Sequence, residues 1–196
     1  FDSQNGVCMG DSYQNKFFIF TTTDGGTTWV RVPDANVPPA SASEAGTVNM
    51  YDASGDNIWF GTSTGRVYKS TNKGLNWTVS ETNMGAIQAD VRFKDANTGF
   101  VYGSNTGITW AIKKTTDGGA TWNTINPAGA FMQQHIAYVP GTPAQWMNVS
   151  ADYQSTTLGD GSAKSINDLA SLTRLDTAIQ YTTVRFFDIN TGWAGG

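Results

Sequence analysis

The chain has 196 residues, of which 39% are hydrophobic and only 14% charged, and it carries a formal net charge of -4. No basic run exceeds Lys113-Lys114, so the electrostatic footprint of a nucleic-acid binder is missing. A single cysteine, Cys8, excludes an intrachain disulfide, and no apolar run approaches a membrane span.

Taken in order, Phe1 to Gly10 reads as an aromatic residue and Asp, a turn, Gly, three apolar residues and Gly, which predicts two strands around an Asp/Asn/Gly turn. The pattern returns from Phe93 to Gly103 and from Phe186 to Gly195, with looser copies at Met50 to Gly61 and Tyr138 to Asn148. A third strand follows, as in Lys16 to Thr21, Arg66 to Ser70 and Trp110 to Lys114. It leads each time into one motif. Thr22-Thr23-Asp24-Gly25-Gly26-Thr27-Thr28-Trp29, Ser70-Thr71-Asn72-Lys73-Gly74-Leu75-Asn76-Trp77 and Thr115-Thr116-Asp117-Gly118-Gly119-Ala120-Thr121-Trp122 align as Ser/Thr-x-Asp/Asn-x-Gly-x-Thr/Asn-Trp. A worn fourth copy runs from Ser165 to Leu172. The tryptophans stand 48 and 45 residues apart, and Leu172 stands 50 after Trp122. Such a period marks a propeller, solenoid or array.

The motif is a tight hairpin. The Asp or Asn side chain accepts backbone N–H groups a few residues on, and the Gly takes a conformation that a β-carbon resists. The Trp is read as a buried plate worth about 2–3 kcal/mol. Asp24, Gly26, Trp29, Asn72, Gly74, Trp77, Asp117, Gly119 and Trp122 are therefore assigned to architecture. The apolar runs Val7-Cys8-Met9, Ile58-Trp59-Phe60 and Phe100-Val101-Tyr102 predict strands covered on both faces, with Cys8 a buried, inert thiol. Residues 32–46 read as a surface connection, and Ser165 to Leu175 as a hairpin.

These copies resemble the Asp-box, or bacterial neuraminidase, repeat, whose pattern is Ser-x-Asp-x-Gly-x-Thr-Trp. The resemblance implies an all-β propeller of four-stranded antiparallel blades, with the box turn joining the third and fourth strands of each. Approximate blades fall at 1–46, 47–88, 89–133 and 134–180, and 181–196 opens a further one. The fourth box, with Leu169 for Gly and Leu172 for Trp, is expected to keep the geometry least well. The count points to an incomplete part of a larger propeller, continuous with further blades or domains. A closed ring of four is the competing architecture, and a start at Phe1 reads as a processed or internal piece. Pairing the Asp-Asn-Thr-Gly strand with Thr-Thr-Asp-Gly-Gly-x-Thr-Trp is similar to the photosystem II stability and assembly factor type of repeat, frequent also in secreted bacterial multi-domain proteins. That likeness implies a non-enzymatic binding or scaffold module, extracellular or at the cell surface, with a protein or glycan partner.

Sialidases and propeller xyloglucanases resemble the repeat too, which makes part of a glycoside hydrolase the alternative. The sialidase Arg-Ile-Pro signature is absent, however, and the two glutamates, Glu44 and Glu81, sit in loop-like stretches. Fourteen aspartates leave an acid/base pair open, although most occupy turns. No catalytic residue, metal site or cofactor is assigned: His135 stands alone, and Asp52 to Asn57 reads as a turn before it reads as a calcium loop. Asn76 and Asn148 begin glycosylation triplets. Aligning the first strand of each blade places Asn49, Arg92, Ala137 and Arg185 at one position. Asn49, Arg92 and Arg185 are the candidate channel-facing binding residues.

Overall fold

The computed structural model describes residues 1–85, 88–105, 109–132, 134–151 and 160–196, in two compact units, Phe1–Thr124 and Ile125–Gly196. In the first unit β1 (Gly6–Tyr13), β2 (Lys16–Thr22) and β3 (Val30–Arg31) form an antiparallel meander. After a 3-10 turn at Asp34–Asn36 come two four-stranded meanders. These are β4 (Gly46–Ser54), β5 (Asn57–Thr62), β6 (Arg66–Ser70) and β7 (Thr78–Glu81), then β8 (Asp90–Phe93), β9 (Gly99–Asn105), β10 (Thr109–Thr115) and β11 (Asn123–Thr124). The second unit holds β12 (Ala128–Gly129), β13 (His135–Tyr138), β14 (Trp146–Ser150), β15 (Gly161–Ser165) and β16 (Ser171–Asp176), followed by the hairpin β17 (Thr183–Phe186) and β18 (Gly192–Gly195). Its main sheet runs β12-β16-β15-β14-β13.

The sheets follow the repeat, with one addition. Ala128–Gly129 form this extra strand, β12, which pairs parallel to β16. Gly129 makes this possible: at φ 89° a β-carbon there would lie 2.3 Å from the Leu172 carbonyl oxygen.

Two turns recur, and each is built from within. Ahead of β1, between β8 and β9 and between β17 and β18, the carboxylates of Asp2, Asp95 and Asp188 each accept the N–H groups two and three residues on, at 2.7–2.9 Å. Between the last two strands of each meander, the hydroxyls of Thr22, Ser70, Thr115 and Ser165 accept the N–H four residues on at 2.8–3.0 Å and donate to the Asp or Asn two residues on. That side chain in turn accepts the N–H of Thr28, Asn76, Thr121 or Ser171 at 2.9–3.0 Å. The Ser/Thr that opens each copy is thus as much a cap as the Asp. Hydrogen bonds from Thr28 and Thr121 hold the Asp24 and Asp117 carboxyls down to about 2. Each box is also clamped to the other turn of its own sheet. Gly25, Lys73, Gly118 and Asp168 donate backbone N–H bonds of 2.8–3.1 Å to Gln4, Asp56, Asn97 and Ala144.

The fourth box keeps the whole pattern, against expectation. Leu169 takes φ 60° where Gly26, Gly74 and Gly119 take 85–90°. A left-handed leucine costs about 1–2 kcal/mol. Its side chain is fully buried, which contributes about 1.5–3 kcal/mol and offsets that cost.

Burial corrects three other expectations. Trp77 is buried among Phe17, Ile19, Val32 and Phe60, and Trp122 is half-buried against the cluster of Trp59, Val91 and Phe93. Trp29 instead remains 44% exposed, its ring against Gly6 and Gly26. Cys8 is exposed rather than buried. We therefore expect the Cys8 thiol to react with a disulfide reagent without denaturant; a thiol released only by denaturant would contradict this placement. The 32–46 connection is not merely superficial, since Val32, Ala40 and Glu44 are buried.

Candidate functional site

Within the first unit, two strands lose register where they face each other. β1 bulges between Met9 and Ser12, and β4 between Gly46 and Tyr51. A bulge leaves residues unpaired and re-aims their side chains, and bulges gather beside functional sites. Here they flank one cavity of about 480 Å³, whose lining includes Met9, Asp11, Asn49, Tyr51, Phe60 and Trp77. Asn49 sits at φ 66°, a left-handed conformation that asparagine tolerates better than most residues, and is exposed. Tyr51 is half-exposed, while Phe60 and Trp77 close the cavity from the core side. The site thus offers aromatic surface with one amide, one carboxylate (Asp11) and the Cys8 thiol at its margin.

Of the residues proposed to face a channel, only Asn49 lines this cavity. Arg92 is 1% exposed. Its guanidinium donates to Asp90 at 2.5 Å and to the carbonyls of Asn49 and Tyr51 at 3.2 Å, so it ties β8 to β4 and presents no charge to solvent. Its aspartate partner, which also accepts from the Tyr102 hydroxyl at 2.5 Å, lies two residues earlier on the same strand. That spacing was the available signal. Arg185 is half-buried on β17, in the other unit.

The carboxylates are largely committed elsewhere. Asp52 accepts the N–H groups of Ala53 and Phe93, and its stretch forms the β4–β5 turn with Gly55 at φ 59°. Glu44, fully buried, accepts from Ser41, Thr62 and Thr64 and forms an ion pair with Arg66. The nearby Tyr68 hydroxyl donates to Pro39 O at 3.1 Å, and burial together with the Glu44 charge pushes its ionisation above the usual tyrosine range. Asn148 is buried and donates to Met132 O, which removes it as a glycan acceptor in the folded chain, whereas Asn76 is exposed.

No family model and no curated protein matches the chain. Solved structures do. YCF48 bound to D1 peptide superposes with a TM-score of 0.58 at 16% identity, over 94% of this chain and 54% of that one. The GH74 xyloglucanase of Xanthomonas campestris gives 0.59 at 17%, over 87% and 28%, and the GH74 enzyme of Niastella koreensis 0.53 at 23%, over 88% and 28%. The chain is part of a β-propeller. At these identities the likeness establishes the fold alone, and the chain spans about half the length of one neighbour and less of the others.

Proposed function

We propose that this propeller segment, built on Asp-box repeats, is a non-enzymatic binding or scaffold module of a secreted or cell-surface protein, and that the cavity between its first two blades receives a protein or glycan partner. The observation that carries the reading is the cavity's composition: aromatic faces and an amide at the mouth, with Asp11 its one lining carboxylate. Aromatic rings paired with a few polar groups suit recognition of a sugar face or an extended peptide. Acid/base glycoside hydrolysis, by contrast, uses two flanking carboxylates about 5–9.5 Å apart. The sparse charge and the Ser, Thr and Asn of the turns favour an extracellular setting.

The competing reading, part of a propeller glycoside hydrolase, rests on the equal likeness to the GH74 enzymes. Both are tested together. The chain is incubated with xyloglucan and with sialyllactose while reducing ends and free sialic acid are measured, and is screened for binding against oligosaccharide and peptide arrays. We expect no hydrolysis, and array binding that weakens at least tenfold in Tyr51→Ala and Asn49→Ala. Product release that survives both substitutions would favour the hydrolase, and array binding indifferent to both would move the site elsewhere.

A further inference from the structure

The cavity between β1 and β4 is divided by chemistry. Its wall on the core side, made by Met9, Ile58, Phe60 and Trp77, is apolar, and the indole N–H of Trp77 already donates to Gly74 O at 2.8 Å. A hydroxyl or amide pushed against those side chains would go unpaired, which is costly away from water. The polar side chains gather at the mouth instead, where Asp11, Asn49 and Tyr51 are all exposed. Among the described residues the Asp11 carboxylate takes part in no ion pair and no hydrogen bond. The described lining includes no lysine, arginine or histidine. Arg92 does reach the Asn49 and Tyr51 carbonyls from β8, but its guanidinium is buried and paired with Asp90. A carboxylate without a counter-charge therefore stands at the entrance to an apolar chamber.

We infer that this cavity is a socket for an arginine side chain of a partner protein, with Asp11 as its counter-charge. The inference rests on the reading of the chain as a binding module and narrows its partner to one chemistry. Arginine answers both halves of the site. Long cationic side chains lay their methylene stems along apolar surface and keep the charged head near water, which suits a chamber of Met9, Ile58 and Phe60 with a wet mouth. The planar guanidinium forks onto a carboxylate and stacks on aromatic rings, which the compact ammonium of lysine does less well. Asp11 supplies the carboxylate and the half-exposed Tyr51 the ring. A further donor is left for the amide oxygen of Asn49, on the bulged stretch of β4. At about 480 Å³ the cavity falls within the range of about 300–1,000 Å³ usual for ligand sites, so it has room for the side chain and part of a neighbour. A sugar could stack on Tyr51, but its hydroxyls would meet no partner among the apolar side chains inside. An acidic segment would be repelled by Asp11.

The test is an array of heptapeptides with arginine fixed at the centre and randomised flanks, probed with the full chain beside matched arrays carrying citrulline, lysine or glutamate at the centre. Citrulline keeps the length and the planar head of arginine and loses its charge. The tightest arginine peptide and its citrulline twin are then titrated by calorimetry. We expect the arginine peptide to bind about tenfold more tightly, the size of a charge-assisted hydrogen bond. Asp11→Asn should remove that difference by weakening the arginine peptide alone, while Tyr51→Ala weakens both. Equal affinity of the wild-type chain for the two peptides overturns the socket, and so does an arginine preference that persists in Asp11→Asn. The comparison of the two peptides on the unaltered chain decides even if a variant misfolds. Failure of the parent reading looks different. Oligosaccharide binding lost in Tyr51→Ala, with no peptide bound, refutes the socket and leaves the binding module standing, whereas hydrolysis of xyloglucan or sialyllactose refutes the module and the socket with it.

Discussion

Replacing Arg66 with methionine is expected to cost the first unit about 3–5 kcal/mol near neutral pH, because it leaves the Glu44 carboxylate buried without its counter-charge. The Glu44 side chain has no exposed surface and that of Arg66 only 11%. Burial on its own raises the Glu44 pKa. Hydrogen bonds from Arg66, Thr62, Ser41 and Thr64 outweigh it and leave the group below its ordinary 4.5. A depressed carboxyl contributes stability that is fully present above its unfolded value and disappears as pH falls through the folded one. In Arg66→Met burial dominates and the sign reverses, so the neutral acid becomes the favoured form. Urea midpoints should therefore differ most at pH 7.5 and converge toward pH 4. The companion Glu44→Gln, Arg66→Met should recover most of the loss, since removing both charges spares their desolvation. A deficit that is the same at both pH values, or no recovery in the double variant, would mean that Arg66 acts through packing on Tyr68, whose ring its guanidinium overlies at 5.4 Å.

The pair also shows where reading the chain stopped short. Glu44 looked like a loop residue because its partner lies 22 positions on, across a whole strand. Nothing local joins them. Arg92 failed for the opposite reason. Alignment placed it correctly on the first strand of its blade, yet alignment says which residues are equivalent and not which way they face, and Asp90 beside it held the information. The box turns were readable because their bonds span at most four residues, so spacing alone carries the geometry. Even there the opening Ser/Thr was seen as pattern rather than as the hydroxyl that bonds the loop. The candidate cavity was not legible at all. Its mouth is made by two bulges, one in β1 and one in β4, and a bulge is a mismatch between strands that neither strand displays alone.

The second large effect is expected from a single methyl group. Gly61 lies on β5, opposite Val67, and a β-carbon built on it would stand 1.7 Å from the carbonyl oxygen of Ala89 and 2.7 Å from its carbonyl carbon. That backbone has no room to retreat, for Ala89 is fully buried, donates its N–H to Thr62 O at 3.2 Å and packs in the cluster of Trp59 and Val91. Ordinary overpacking costs about 1–3 kcal/mol when a side chain can turn aside. Here main chain must shift by more than an ångström between two blades. We expect Gly61→Ala to cost about 4 kcal/mol or more, a large share of the 5–15 kcal/mol typical of a domain. Gly55→Ala is the matched control: nothing lies within 4 Å of the new carbon, and at φ 59° the penalty should be only the backbone one, about 1–2 kcal/mol. Urea titration followed by tryptophan fluorescence compares the two. Truncating the neighbour should not help, since Ala89→Gly removes a methyl and leaves the offending oxygen in place. A Gly61→Ala midpoint no lower than that of Gly55→Ala, or its rescue by Ala89→Gly, would show that the second and third blades do not meet through backbone at this point.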